Sequence, residues 1–182
     1  MTRTESDEQV VLLDAAGSPI GIAPKASVHD DATPLHLAFS CHVSDAEGRL
    51  LVTRRALHKR TWPGVWTNSF CGHPGPDEAM EDAVRRRGRD ELGIELEDLR
   101  LVLPDFRYRA VDASGVVENE VCPVYRARIA TPLSPNHLEV MDYEWVDERE
   151  FAPVVAAATF AFSPWLALQF PELAAAEALA RE

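Results

Sequence analysis

The sequence predicts an α+β or α/β sandwich, on three observations. Leu35, Leu37, Phe39, Cys41 and Val43 alternate with His36, Ala38, Ser40 and His42, the period of a strand. Met80, Ala83 and Val84 recur at helical spacing in a run that stops at Gly93. Ser163-Pro164, a good N-cap and N1 pair, opens a terminal Ala/Leu-rich helix.

In chain order, Val10–Leu13 reads as a short strand turned at Gly17-Ser18-Pro19, and Pro24–Pro34 as a polar connection carrying Lys25 and His29. The strand from Leu35 turns at Ser44–Gly48 and returns as Leu50–Thr53. Trp62, Pro63, Gly64 and Trp66 suggest a rigid aromatic loop, and Asp77 is the expected cap of a helix running to Leu92. Asp105–Val111 is strand-like, Asp112–Gly115 a turn, and Val116–Ile129 reads as one long strand; Asp142–Val146 follows as another. There is no repeat and no interdomain linker. Residues 1–182 are expected to form one domain, with 1–8 (MTRTESDE) as a disordered tail.

The chain carries 18 Lys and Arg against 30 Asp and Glu, a net charge of −12, which argues against nonspecific binding of nucleic acid. Most of those cations fall between Arg49 and Arg109, a concentration that suits either a local anion site or simply solvated faces. No apolar run is long enough to span a bilayer, and residues 1–8 lack the apolar core of a signal peptide. The 3 cysteines, at positions 41, 71 and 122, form no CxxC pair, so reduced thiols in a cytoplasm are the expectation. Cys41 reads as a small core residue.

Three places break the pattern of a simple core. The inward stripe of the central helix runs on into Arg87, Gly88 and Glu91, where buried charge is costly unless paired or metal-bound. The plain reading is an i,i+4 ion pair at a fraying helix end. The sharper and favoured one sets Glu91 against a cation and Arg87 against an anion, with Gly88 allowing close approach. Glu118 and Glu120 project from one strand face, flanked by Val116, Val117, Val121, Cys122 and Val124. On an exposed sheet such a pair would be unremarkable, but its apolar flanks favour a metal or acid/base role. In N-S-F-C-G-H-P, Cys71 and His73 share a face if extended, and His29, His36 and His73 with the glutamates could furnish a mixed N/O metal site. His42 and His58 lack a local acidic pair, and His137 sits among turn residues.

The phrases LHLAFSC, LLVTRRAL, KRTWPGVWTNSFCGHP, DAVRRRGRDELG, PDFRYRA, GVVENEVCPVY, EVMDYEWVD and AFSPW together resemble the type 1 isopentenyl-diphosphate isomerases, in order from about Val10 to about Phe170. The resemblance implies a Nudix-like sandwich of mixed β-sheets with flanking helices. Gly72, Glu78, Arg86, Glu91, Gly93 and Ile94 fall at the spacing of a worn Nudix box, whose further carboxylates are replaced at Arg87 and Asp90. That departure argues against pyrophosphate hydrolysis.

Carried over from the family, His29, His36, His73, Glu118 and Glu120 would ligate one divalent ion, Mn²⁺, Zn²⁺ or Mg²⁺. Glu91 would hold a Mg²⁺ bridging to the substrate diphosphate. Lys25, Arg55, Lys59 and Arg87 would meet phosphate oxygens, Trp165 would lie against the hydrocarbon, and Cys71 with Glu120, assisted by Tyr108, would be the acid/base pair. The implied protein is a cytoplasmic monomer acting on a small diphosphate, without nucleic-acid or membrane partners. The implied reaction is reversible conversion of isopentenyl to dimethylallyl diphosphate through a carbocation. A nucleotide-diphosphate hydrolase and a non-catalytic diphosphate or metal binder are the rival readings.

Overall fold

The computed structural model describes residues 8–179, so residues 1–7 of the expected tail lie outside the described residues. Glu8 lies inside them, and its carboxylate is 2.6 Å from Lys25 Nζ.

Two sheets form the body. The first has the order β2-β1-β3-β10-β9, from β1 (Gln9–Leu13), β2 (Pro19–Pro24), β3 (His36–Leu37), β9 (Arg107–Val111) and β10 (Val117–Val121). The second runs β12-β5-β4-β11-β8, from β4 (Phe39–Ser44), β5 (Leu50–Arg55), β8 (Leu96–Leu103), β11 (Val124–Ile129) and β12 (Val140–Val146). Short β6 (Trp66–Thr67) pairs with β5, and β7 (Phe70–Gly72) with β4.

The single strands expected from Leu35 and over Val116–Ile129 are each broken in two. β3 and β10 run parallel in the first sheet, and β4 and β11 run parallel in the second. Both segments change sheets at the same level, where Ala38 N–H donates to Val121 O and Ser40 N–H to Pro123 O. Pro123 has no N–H to give to a ladder, which marks the break on the second strand. Period-two alternation survives the crossover, so the pattern reads continuously although the ladder does not. The consequence is functional: His36, Glu118 and Glu120 face out of the first sheet, and Ser40 lies just beyond them in the second.

The second sheet is covered on both sides. Phe39, Cys41, Val43 and Leu51 pack with Ala83, Val84 and Leu92 of α2 (Met80–Leu92). On the other side, Leu50, Val52 and Val124 pack with Trp165, Leu166, Phe170 and Leu173 of α4 (Pro164–Leu179). Cys41 is fully buried in the first of these clusters, as a small core residue. Unread in the sequence are the single turn α1 (Lys25–Val28), α3 (Glu148–Ala157) and the strands β2, β6 and β8. Among the described residues, no helix is long and apolar enough to cross a membrane.

α2 begins two residues later than expected. Its N-cap is Ala79, and Asp77 has φ +60, outside the geometry of a capping residue. The Glu78 carboxylate ties the entry instead, accepting from Gly75 N–H at 2.7 Å and from Arg86 Nε at 2.8 Å. At the other end Gly93 is left-handed, and a Cβ there would come within 2.6 Å of Ser134 O, so the helix stops where glycine alone fits. The helix end therefore does not fray.

His42 faces α4, fully buried, with Nε2 2.8 Å from Gln169 Oε1. Burial pushes its pKa down to about 4 against the helping Gln169 bond. The folded value lies below the unfolded one, so the neutral ring's stabilisation is complete above pH 6.5 and is lost as pH falls toward 4. Its full extent is about 3 kcal/mol. Urea denaturation at pH 7 and pH 4.5 should show a smaller loss in His42→Phe than in the wild type; an equal loss would place the acid sensitivity elsewhere.

Candidate active site

A cavity of about 370 Å³ opens beside the two sheets, bordered by residues of α1, β5, β7, α2, β9, β10 and α4. It is lined by Lys25, His29, Arg55, Lys59, Cys71, His73, Arg87, Glu91, Tyr108, Glu118, Glu120 and Trp165, so nearly every side chain singled out in the sequence meets there. His36 lies directly behind, fully buried.

The imidazoles form a tight cluster. Ring centroids of His29, His36 and His73 are 5.0 to 5.7 Å apart, although the residues come from the end of α1, from β3 and from the loop after β7. Ligand atoms of His29, His36, His73 and Glu120 all lie within 4.8 Å of one another. His36 Nδ1 is 2.9 Å from Pro34 O, which fixes that nitrogen as the donor and leaves Nε2 with a lone pair pointing inward. Neither His29 Nε2 nor His36 Nε2 has a hydrogen-bond partner among the described residues, and Glu118 Oε2 also has none. Buried lone pairs aimed at one point without donors are what a cation relieves. His29, His36, His73 and Glu120 thus fit a divalent ion. Glu118 adjoins the group: its Oε2 lies 3.0 Å from His29 Nε2, within ion-pair distance but outside hydrogen-bond geometry.

Electrostatics around Glu120 agree. Burial alone would raise its pKa, but His36 and His73 hold it well below the usual carboxylate range. Burial pushes the His73 pKa down to about 3 in spite of Glu120. For His36, burial is outweighed by the Glu120 carboxylate and the net shift is upward. His73, neutral beside the ionised Glu120, is in the protonation state that metal binding requires, whereas His36, shifted upward, would give up a proton when an ion binds.

Cys71 sits at the floor of the cavity in β7. Burial pushes its thiol up to about 12, opposed by hydrogen bonds from Ser40 and to Asn68, while the charges of Glu120 and Glu91 push it further up. With burial and two nearby carboxylates outweighing the hydrogen bonds, the sulfur holds its proton. Tyr108 is the cross-strand partner of Glu120, and burial together with Glu120 and Glu118 raises its phenol well above 10, so it too stays protonated. The indole of Trp165 is 5.8 Å from the Tyr108 ring and T-shaped to Trp62, and its Nε1 donates to Asn68 Oδ1 at 2.9 Å.

The cations at the mouth are present but not free. Arg87, buried on α2, pairs with Glu91 and lies 3.6 Å from both Glu8 and Glu139. Lys59 pairs with Glu139, and Lys25 with Glu8. The i,i+4 pair of Arg87 and Glu91 is therefore real, yet both residues also line the cavity, so the two sequence readings are not exclusive. Gly88 does not admit a ligand: a Cβ there would touch Leu96 and Phe70 at ordinary contact. The close approach is at Gly72, where a Cβ would lie 2.7 Å from Arg87 Cγ, so glycine at 72 lets the arginine cross β7 into the cavity. Arg55 is bound into the aromatic loop, donating to Thr61 O and Trp62 O, with its guanidinium carbon 5.3 Å from the Trp165 ring centre.

Several contributors went unread. Thr61, buried, donates to Glu118 Oε1 at 2.7 Å and ties the aromatic loop to the carboxylate pair. Glu8 and Glu139 neutralise the mouth; nothing in their spacing marks them, since they come from opposite ends of the chain. Asn68 stands three residues before Cys71 and accepts at Oδ1 from Thr67, Cys71 and Trp165. His58 lines the cavity but is exposed, and His137 is exposed as expected.

The two mixed sheets, the central helix and its polar inner end are those of a Nudix domain, whose family model matches residues 34–166. Among solved structures, DR0079 from Deinococcus radiodurans superposes with a TM-score of 0.71 at 19% identity, over 91% of this chain and 99% of that one. The MutT protein of Methanosarcina mazei does so at 0.59 and 17%, over 77% and 93%. These likenesses carry the fold alone. Sequence relatives are far nearer. A protein of Clavibacter michiganensis named isopentenyl-diphosphate Delta-isomerase is 66% identical over 91% of this chain and 86% of its own length. One of that name from Kocuria rhizophila is 57% identical over 98% and 99%. The chain belongs to the Nudix superfamily and, within it, to the isopentenyl-diphosphate Delta-isomerase family.

Proposed function

We propose that the protein interconverts isopentenyl and dimethylallyl diphosphate. The observation that carries this is the meeting of two protic side chains, Cys71 and Tyr108, with the ionised Glu120 and the Trp165 indole in one enclosed cavity with cations at its mouth.

The chemistry sets the requirements. A proton must reach the terminal carbon of an unactivated alkene, leaving a tertiary cation, and another must leave C2. In the resting site Cys71 carries a proton and Glu120 does not. One of the two gives its proton, the other accepts one from C2, and the pair ends with protonation states exchanged, which makes the reaction reversible. Tyr108, held protonated opposite Glu120, steadies that carboxylate. Trp165 offers a π-face to the cation without a nucleophilic lone pair, and it and Tyr108 exclude the water that would trap the cation.

His29, His36, His73, Glu118 and Glu120 would hold one divalent ion, Mn²⁺, Zn²⁺ or Mg²⁺, which supplies positive charge to the Glu120 carboxylate. Glu91 would hold a Mg²⁺ carried by the substrate diphosphate. Lys25, Arg55, Lys59 and Arg87 would bind the phosphate oxygens, with Glu8 and Glu139 giving way as counter-ions. Arg is suited to this by its planar fork of donors.

Incubation with isopentenyl diphosphate in D₂O tests the proposal. Carbon-bound deuterium in both diphosphates is expected; release of inorganic phosphate without it would make the protein a hydrolase, and neither would leave a binding protein. Arg87→Lys keeps the charge but loses the fork, and should weaken binding of inorganic pyrophosphate about tenfold by calorimetry. Unchanged affinity would mean that Arg87 serves Glu91 and Glu139 only.

A further inference from the structure

Behind Cys71, away from the cavity, three buried polar side chains form a single hydrogen-bonded file. His42, on β4, meets Gln169 Oε1 at 2.8 Å through Nε2. Gln169 Nε2 donates to Ser40 Oγ at 2.8 Å. Ser40 Oγ is 3.3 Å from Cys71 Sγ and 3.5 Å from Cys122 Sγ. His42, Gln169 and Ser40 are each at most 1% exposed, and none of them lines the cavity.

The direction of the file follows from donor counting. Gln169 presents its oxygen to the imidazole, so His42 Nε2 carries the hydrogen, and the bare Nδ1 is the atom without a partner among the described residues. Gln169 must then give its N–H to Ser40 and occupy one of that hydroxyl's lone pairs. The Ser40 hydrogen is left for one of two sulfurs, of which Cys71 Sγ at 3.3 Å is nearer than Cys122 Sγ at 3.5 Å. On the far side of the thiol, Cys71 Sγ donates to Asn68 Oδ1 at 3.2 Å, and the Asn68 amide is itself fixed by donating to Cys41 O and Phe70 O. Cys71 is thus held between Ser40, itself fixed by Gln169, and the Asn68 amide, itself fixed by the Cys41 and Phe70 carbonyls.

A file of this kind is hard to explain as packing. It lies where the second sheet meets α4, among Leu50, Val52, Val124, Leu166 and Phe170, and apolar side chains there would avoid the cost of desolvating three polar groups. Its one reach toward the cavity is the sulfur.

We propose that Ser40 and Gln169 are positioning residues, holding the Cys71 sulfur at its working place in the cavity, with His42 setting the orientation of the Gln169 amide. This rests on the reading of Cys71 as a proton-transfer group, and the experiment separates the two. Ser40→Ala, Gln169→Leu and the double variant are assayed for kcat and KM with isopentenyl diphosphate, beside their thermal denaturation. Ser40→Ala should lower kcat about tenfold to a hundredfold, as loss of placement at a reacting group does, with KM changed by less than about twofold. Gln169→Leu should lower kcat in the same way, and the double variant should be no slower than Ser40→Ala, because the two act in series. Three results would overturn the positioning role while leaving the isomerase reading intact. These are a Ser40→Ala enzyme as fast as the wild type, a double variant whose losses multiply, and a kcat deficit that disappears when the assay is run well below the onset of melting. A wild-type protein without isomerase activity would overturn both.

Discussion

Cys71→Ala is expected to lower isomerase turnover by at least about a thousandfold, near the upper reach of a single acid/base group. Alanine would remove the proposed proton carrier and leave Ser40 and Asn68 facing a space with no thiol. The hydrocarbon would still lie against Trp165 and the phosphates against the cations, so pyrophosphate affinity should hold. The fold should hold too: β7 keeps its backbone pairing with β4 through Phe39, Ser40 and Cys41, and deletion of one partly exposed sulfur costs about 1 kcal/mol. Turnover and a thermal melt, measured together, check this. Residual turnover within about tenfold of wild type would show that the proton reaches the substrate from another group, with Tyr108 the obvious one, and that Cys71 contributes only shape.

What the sequence revealed and what it hid divide along a physical line. Faces were legible because strand and helix periods are local: the alternation from Leu35 and the stripe through Ala83, Val84, Arg87 and Glu91 both place side chains as the structure does. Ladder partners were not legible, because the sheet change at Ala38 and Pro123 leaves the alternation intact. α3 hid because its Pro153 argues against a helix interior. The side chains that line the cavity were found through motif resemblance, and their convergence could not have been derived from spacing, since His29, His73 and Glu120 meet only after two sheets pack.

The residues that support them were missed for a related reason. Ser40, Thr61, Asn68 and Gln169 are small polar groups whose type is common on surfaces, and only burial distinguishes them. Gln169 is the sharpest example: in a helix rich in alanine and leucine it reads as a solvent-facing position, yet it is fully buried against His42. Arg87 taught the opposite lesson. Its inward direction was legible, but the carboxylates that satisfy it, Glu8 and Glu139, lie far off in the chain.

The two strand glutamates should part company when each is made neutral. Glu118 faces His29 and accepts from Thr61, at the side of the imidazole cluster, whereas Glu120 lies 3.5 Å from His36, 3.2 Å from His73 and across the ladder from Tyr108. On the proposed mechanism Glu118→Gln would remove charge from beside the cation site but leave the proton-transfer pair whole. Its metal affinity should fall about tenfold to a hundredfold, and excess divalent ion should restore turnover. On the proposed mechanism Glu120→Gln would take away both a ligand and one of the two proton-transfer groups, since an amide does not exchange a proton at neutral pH. Turnover should fall at least about a thousandfold and stay there at any metal concentration. Metal content, measured on each purified variant beside a metal titration of activity, separates the outcomes. Recovery of Glu120→Gln by added metal would reduce Glu120 to a ligand and leave the second proton transfer to Tyr108. Failure of Glu118→Gln to recover would instead make Glu118 part of the reacting pair, because occupancy alone would no longer account for its loss.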